Sequence, residues 1–115
     1  MSTYKIWHNP RCAKSRQTLA ILEEKGIQAD VFRYLDETQT VSAIKEVLKK
    51  LGMSARELMR TTEDDYKTLN LKDEVDENKL IEAMVNYPKL IQRPIVIKGD
   101  KAVLGRPPEK VLELC

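Results

Sequence analysis

The sequence predicts an α/β fold with a mixed four-stranded sheet, in the order strand-helix-strand, helical insert, strand-strand-helix. Three observations carry this. Tyr4-Lys5-Ile6-Trp7 alternates and favours β structure, and a helix-forming stretch and a second β-rich stretch follow it. That order is a βαβ unit, whose strands run parallel with a right-handed crossover. Val41, Ile44, Val47, Leu48 and Leu51 recur at helical spacing and open a helical middle. Near the end, Pro94 to Lys98, the pair Gly99-Asp100 and Lys101 to Leu104 read as a β-hairpin with a two-residue turn, which supplies the antiparallel part.

Taken in order, Asn9-Pro10 marks a turn after the first strand, and the first helix runs from about Ala13 to about Lys25. Leu19, Ile21 and Leu22 face inward and Gly26 stops the helix. The second strand is expected over Ile27 to Leu35, where charges mixed among Val31, Phe32 and Tyr34 suit a strand near one side of a sheet. In the middle, Gly52 closes the Val41 helix and Ser54-Ala55-Arg56-Glu57 has the capping-box pattern, opening a short helix that ends around Arg60. Thr61 to Lys72 is polar with weak periodicity and is expected as a loop with an irregular helical turn. Asp76 caps a helix whose Leu80, Ile81, Met84 and Val85 share a face before Tyr87-Pro88 breaks it. Pro108 starts a last helix through Val111, Leu112 and Leu114.

The chain has 115 residues, near the commonest size for one domain, and 42% are hydrophobic, enough for a core without disulfides. One domain over 1–115 is therefore expected, with the helical insert at about 38–88. With 20 basic against 18 acidic residues the net charge is +2, which gives no reason to invoke nucleic acid or an anionic membrane. No apolar run approaches the roughly eighteen residues of a membrane span, and no signal-peptide h-region is present, so a cytoplasmic protein is expected. Two cysteines far apart and one histidine make neither a disulfide framework nor a recognisable metal cluster. Cys115, the last residue, reads as an incidental thiol.

The junction Trp7-His8-Asn9-Pro10-Arg11-Cys12-Ala13-Lys14-Ser15-Arg16 gathers one cysteine, the only histidine and three cations. Cys12 sits at the mouth of a helix, where unpaired N–H groups and the helix dipole favour an anion, either a thiolate or a bound oxyanion. A free thiol has a pKa of about 8.5, and lowering it by about two units takes roughly 2.7 kcal/mol. A helix end contributes about 0.3–1 kcal/mol, so the dipole falls short. His8, Arg11, Lys14 and a hydrogen bond from Ser15 are the reinforcements in reach. The alternative is a small buried cysteine capping a core helix.

Three arginines stand at element boundaries rather than on solvated helix faces. Arg60 ends the Ser54 helix, Arg93 precedes Pro94 at the third strand, and Arg106 lies between Gly105 and two prolines. Singly, each can be chance in a chain with 20 cations. Together with the cysteine they suggest a pocket for a tetrahedral oxyanion, whose oxygens the guanidinium fork matches. Lys45, Lys49 and Lys50, and the acidic run Glu63-Asp64-Asp65, read as solvated surface.

With these residues in place, the chain resembles the glutaredoxin-dependent arsenate reductases of thioredoxin-like fold, whose active site reads His-Asn-Pro-x-Cys-x-x-Ser-Arg. The segments Ser-Ala-Arg-Glu-Leu-Met-Arg ending at Arg60, Leu-Ile-Gln-Arg-Pro-Ile-Val around Arg93 and Gly-Arg-Pro-Pro around Arg106 extend the resemblance over essentially the whole chain. It implies that Cys12 is the nucleophile, that His8 and Ser15 assist its thiolate, and that Arg60, Arg93 and Arg106 hold the oxyanion. It also implies that Pro94 matches the cis-proline beside the thiol. Arsenate would be the substrate, glutathione the co-substrate and glutaredoxin the protein partner, with no tightly bound cofactor, no metal, and a monomer expected. Ser15 stands where a CxxC oxidoreductase has its resolving cysteine, so an external thiol is required. Two other readings remain at this stage: a glutathione-dependent thiol oxidoreductase acting on another substrate, and a non-enzymatic redox-sensing regulator resembling the Spx type.

Overall fold

The computed structural model describes residues 4–37 and 39–114. The chain divides into two compact units, Met1–Glu37 with Arg93–Cys115, and Thr38–Gln92. Cys115 lies outside the described residues.

The first unit is a four-stranded mixed sheet in the order β2-β1-β3-β4. Strand β1 (Tyr4–Trp7) is central, paired in parallel with β2 (Asp30–Phe32) and antiparallel with β3 (Ile95–Lys98), which continues into β4 (Lys101–Leu104). This is the thioredoxin-like arrangement of the sheet. The register places Ile6 opposite Val31 and Val96, and Trp7 opposite Phe32 and Ile95. Because side chains alternate along a strand, one face carries Tyr4, Ile6 and Val96. These pack with Leu22, Val111 and Leu114, and Leu19, Ile21, Ile27, Ala29 and Val103 rim the cluster. Trp7 belongs to the other face, tilted against Phe32 at 5.5 Å and stacked on Tyr34 at 6.3 Å between centroids.

Helix α1 (Ala13–Glu24) follows β1 and ends before Gly26, whose φ of +74° is open to glycine and costly for other residues. The hairpin turns at Gly99-Asp100 with φ +58° at Gly99, the position where a II′ turn needs glycine. Strand β2 is shorter than the expected Ile27 to Leu35. It is an edge strand, exposed at Asp30 and Val31, and has only β1 to pair with. The last element also differs: Pro108–Leu114 is a 3₁₀ helix, with Pro108, Val111 and Leu114 buried and Leu112 exposed. Buried positions three apart lie on one side of a helix with three residues per turn. Lys98 Nζ and the Tyr4 hydroxyl both donate to the Leu114 carbonyl, at 3.0 and 3.2 Å.

The second unit is helical. Helix α2 (Val41–Leu51) is capped by Thr40, whose Oγ1 accepts from the Ala43 amide at 3.0 Å, and ends at Gly52 with φ +69°. A Thr40→Ala substitution is expected to lower stability by about 1 kcal/mol, read as a shift of the urea midpoint at constant m value. Ser54 and Glu57 form the predicted capping box of α3 (Ala55–Leu58), which stops two residues before Arg60 because Met59 turns extended and bridges Ile91. The polar stretch after it contains α4 (Asp64–Thr68) and a 3₁₀ turn at Leu71–Asp73. Arg56 holds this segment, donating to the Tyr66 hydroxyl at 2.6 Å and to the Leu71 carbonyl at 3.1 Å, an organising role that local periodicity does not reveal. Helix α5 (Glu77–Asn86), capped by Asp76, buries Leu80, Ile81 and Met84 and packs against α2 and α3. Among the described residues no helix is long and apolar enough to cross a membrane.

Candidate active site

The loop between β1 and α1 is fixed by its own hydrogen bonds before any ligand is considered. The His8 amide donates to the Phe32 carbonyl at 2.8 Å, extending the β1–β2 pairing by one residue. Asn9 organises a turn around Pro10: its carbonyl accepts from the Cys12 amide at 3.0 Å and its Oδ1 from the Arg11 amide at 3.0 Å. Arg16 reaches back to the Pro10 carbonyl at 2.9 Å. Ser15, fully buried, accepts from the Asn9 amide at 3.1 Å and lies 2.7 Å from His8 Nδ1.

Cys12 is the N-cap residue of α1, with extended backbone and no capping bond from its side chain, and its thiol is partly exposed. Burial pushes its pKa up. The Ser15 amide, the Arg93 guanidinium by hydrogen bond and by charge, and the Lys14 amide outweigh that and hold it below the ordinary thiol value. The sulfur is thus stabilised by helix-mouth amides and one arginine. The predicted bond from Ser15 comes from its backbone, because its hydroxyl is engaged with His8 and Asn9. His8 is driven below its ordinary pKa by burial, then by Arg33 and Arg16, so it is a neutral imidazole near pH 7 and not a cationic partner. Neither Arg11 nor the Lys14 side chain figures among the influences on Cys12.

Arg93 is held above its ordinary pKa: burial works against the charge, while the Cys12 sulfur and the Tyr34 phenol favour it. Its Nε is buried without a hydrogen-bond partner. Sequence reasoning set Arg93 aside for the oxyanion and missed both its contact with the thiol and the role of Tyr34. The signal available for Tyr34 was an aromatic residue just beyond the edge strand, fully buried in the structure.

Arg106 enters the same unit through its neighbour. Its Nη1 donates to the Arg93 carbonyl at 3.3 Å while the side chain stays exposed, and the bonds Arg93-Pro94 and Arg106-Pro107 are both cis. Gly105 donates to the Pro94 carbonyl at 2.9 Å, and a Cβ placed on it would lie 2.5 Å from Thr18 Oγ1 and 2.8 Å from Pro94 Cγ. Thr18 is buried with Oγ1 bonded to the Lys14 carbonyl at 2.8 Å, and Pro94 is buried too, so neither yields freely. Gly105→Ala is therefore expected to cost about 1–3 kcal/mol by overpacking. Thr18→Ala in the same chain should return part of that loss in a double-mutant cycle of urea midpoints, whereas purely additive losses would contradict the contact. Arg60 belongs to the second unit, where it forms an ion pair with Glu63 at 3.5 Å.

The first unit thus brings together Cys12, His8, Ser15, Arg93 and Arg106, with a thiol held below its ordinary pKa beside the Arg93 guanidinium. A family model described as the ArsC family matches residues 7–114, which span the loop and all three arginines. The chain belongs to the ArsC family. Among curated members, the arsenate reductase of Haemophilus influenzae is 49% identical over 111 residues, covering 95% of this chain and 96% of that protein. The uncharacterized protein YfgD of Escherichia coli strain K12 is 54% identical over 112 residues, 96% of this chain and 94% of its own length. Among solved structures, the arsenate reductase from Vibrio cholerae superposes with a TM-score of 0.95 at 46% identity, covering 97% of each chain.

Proposed function

We propose that this protein is an arsenate reductase that works through a single nucleophilic cysteine. The observation that carries the reading is the Cys12 thiol at the mouth of α1, held below its ordinary pKa with the Arg93 guanidinium as its side-chain partner. Relatives named arsenate reductase that align over nearly the whole chain support it.

The Cys12 thiolate attacks arsenic, forming a sulfur–arsenic bond as one arsenate oxygen leaves, protonated, as water. Arg93 and Arg106 bind the remaining oxygens, since a planar guanidinium can give two parallel hydrogen bonds to a tetrahedral oxyanion. The family resemblance also assigns Arg60 a part in binding the oxyanion. His8 and Ser15 organise the loop that presents the thiol. Arsenic then gains two electrons, passing from the pentavalent to the trivalent state, while two thiols lose their protons and become one disulfide. Because Ser15 stands where a resolving cysteine would be, those electrons come from outside the chain: glutathione reduces the arsenic, and glutaredoxin resolves the glutathionylated intermediate as arsenite leaves. No tightly bound cofactor is needed, and a reducing cytoplasm supplies the thiols.

The test is a coupled assay. Purified protein supplied with glutathione, glutaredoxin, glutathione reductase and NADPH should consume NADPH only when arsenate is added. Consumption that is indifferent to arsenate would leave a thiol oxidoreductase with another substrate. No consumption at all, from protein whose thiol is intact, would favour a regulator.

A further inference from the structure

We propose that Tyr34 is a positioning residue whose buried phenol oxygen, carried on a ring stacked against Trp7, holds the Arg93 guanidinium in place beside Cys12. The inference rests on the reading of Cys12 as the nucleophile and names what orients the arginine that serves it.

Arginine has five N–H donors and no acceptor, so a partly buried guanidinium keeps one orientation only where fixed acceptors surround it. The Arg93 backbone is tied by the Arg106 Nη1 donation to its carbonyl at 3.3 Å and by β3, which follows it. Neither holds the far end of a long side chain. Burial opposes the charge there, and the Cys12 sulfur and the Tyr34 phenol favour it, each in part through hydrogen bonding. Of these two the sulfur is the group that reacts. Once it is bonded to arsenic it is no longer a thiolate, and Tyr34 is the acceptor that stays.

Tyr34 is built to keep still. It is fully buried, and its ring is stacked on Trp7 with centroids 6.3 Å apart and planes 21° from parallel. Its hydroxyl oxygen is shielded from solvent, as is Arg93 Nε. Trp7 is itself buried and lies against Phe32 at 5.5 Å, and these two are register partners at the ends of β1 and β2. The paired strands therefore place the phenol. The residue type matters as well, because an ordinary phenol is neutral at pH 7 and offers lone pairs without an opposing charge. A carboxylate in that position would offset the guanidinium and repel both the thiolate and the arriving oxyanion.

Tyr34→Phe keeps the ring and removes only the oxygen. In the coupled assay kcat/KM for arsenate should fall about tenfold, mostly through KM, because the substrate must then order the guanidinium itself. Without arsenate, the pH midpoint of Cys12 alkylation, followed by mass on its own peptide, should rise by about half a unit as the loosened arginine stabilises the thiolate less. Neither change should appear when Tyr34→Phe is added to Arg93→Met, since the hydroxyl acts through the arginine. A tyrosine that merely fills the core predicts equal losses in both backgrounds and an unmoved midpoint. The wild type gives a reading that needs no Tyr34 variant: the Arg93 Nε–H resonance, assigned by its loss in Arg93→Met, should be rigid and slow to exchange with water. An unmoved alkylation midpoint, equal losses in both backgrounds, unchanged kcat/KM in an active protein, or an Nε–H averaged by rapid motion would each overturn the proposal. Alkylation and the resonance need no arsenate, so a protein inactive on arsenate that shows the expected midpoint and a rigid Nε–H would sink the functional reading and leave this one standing.

Discussion

Cys12→Ser abolishes arsenate-dependent NADPH oxidation, to at least about a thousandfold below wild type, while leaving the urea midpoint nearly unchanged. A serine hydroxyl in that place keeps the volume and loses the nucleophile, because the amides and Arg93 that lower the pKa of a thiol cannot ionise an alcohol at neutral pH. No neighbour can substitute: the Ser15 hydroxyl is buried and committed to His8 and Asn9. The chain has one other cysteine, so activity that survives in Cys12→Ser and disappears on further replacement of Cys115 would move the chemistry to the end of the chain.

The second large effect concerns Arg93. Arg93→Met is expected to raise the pKa of Cys12 toward the ordinary value of about 8.5 and to lower kcat/KM for arsenate by about a hundredfold or more. Losing a hydrogen bond to a charged group costs about 1.5–3 kcal/mol, or roughly ten- to a hundredfold, and Arg93 serves both the sulfur and the incoming oxyanion. The sign of the pH effect follows from the direction of the shift. A thiol whose folded pKa is depressed stays ionised below the ordinary thiol range and loses its charge only as the pH falls through the lowered value. The alkylation rate of Arg93→Met should therefore reach its plateau at higher pH than that of wild type. Arg93→Lys, which keeps the charge but not the fork, should restore much of the thiol pKa and less of the arsenate affinity. An unmoved thiol titration in Arg93→Met would show that the helix-mouth amides suffice alone.

Much of this was readable in the amino-acid sequence where a local rule decides the outcome. Gly52, Ser54 with Glu57, Asp76 and Gly99 each ended or opened an element through backbone chemistry confined to a few neighbours, and each is found in that role. The rule fails where pairing decides. Ile27 to Leu35 has strand-like residues throughout, yet β2 keeps only the three that face β1. Pro108 to Leu114 reads equally well as either helix type until burial selects every third residue. Within the site, the cysteine, the histidine, the serine and the boundary arginines stood out by type and position. Their partnerships did not, because whether the Ser15 hydroxyl meets Cys12 or His8 is a matter of ångströms fixed by the Asn9 turn. Tyr34 drew no attention for a related reason: a buried aromatic looks like core until a guanidinium is found against it.

The first unit joins the opening 37 residues to those from Arg93 onward, and its site is divided in the same way, with Cys12 on the early segment and Arg93 and Arg106 on the late one. During synthesis the thiol emerges from the ribosome long before the arginine that helps to ionise it. The full set of groups that lowers the Cys12 pKa, the local Ser15 and Lys14 amides together with Arg93, is therefore assembled only when the late segment joins the early one.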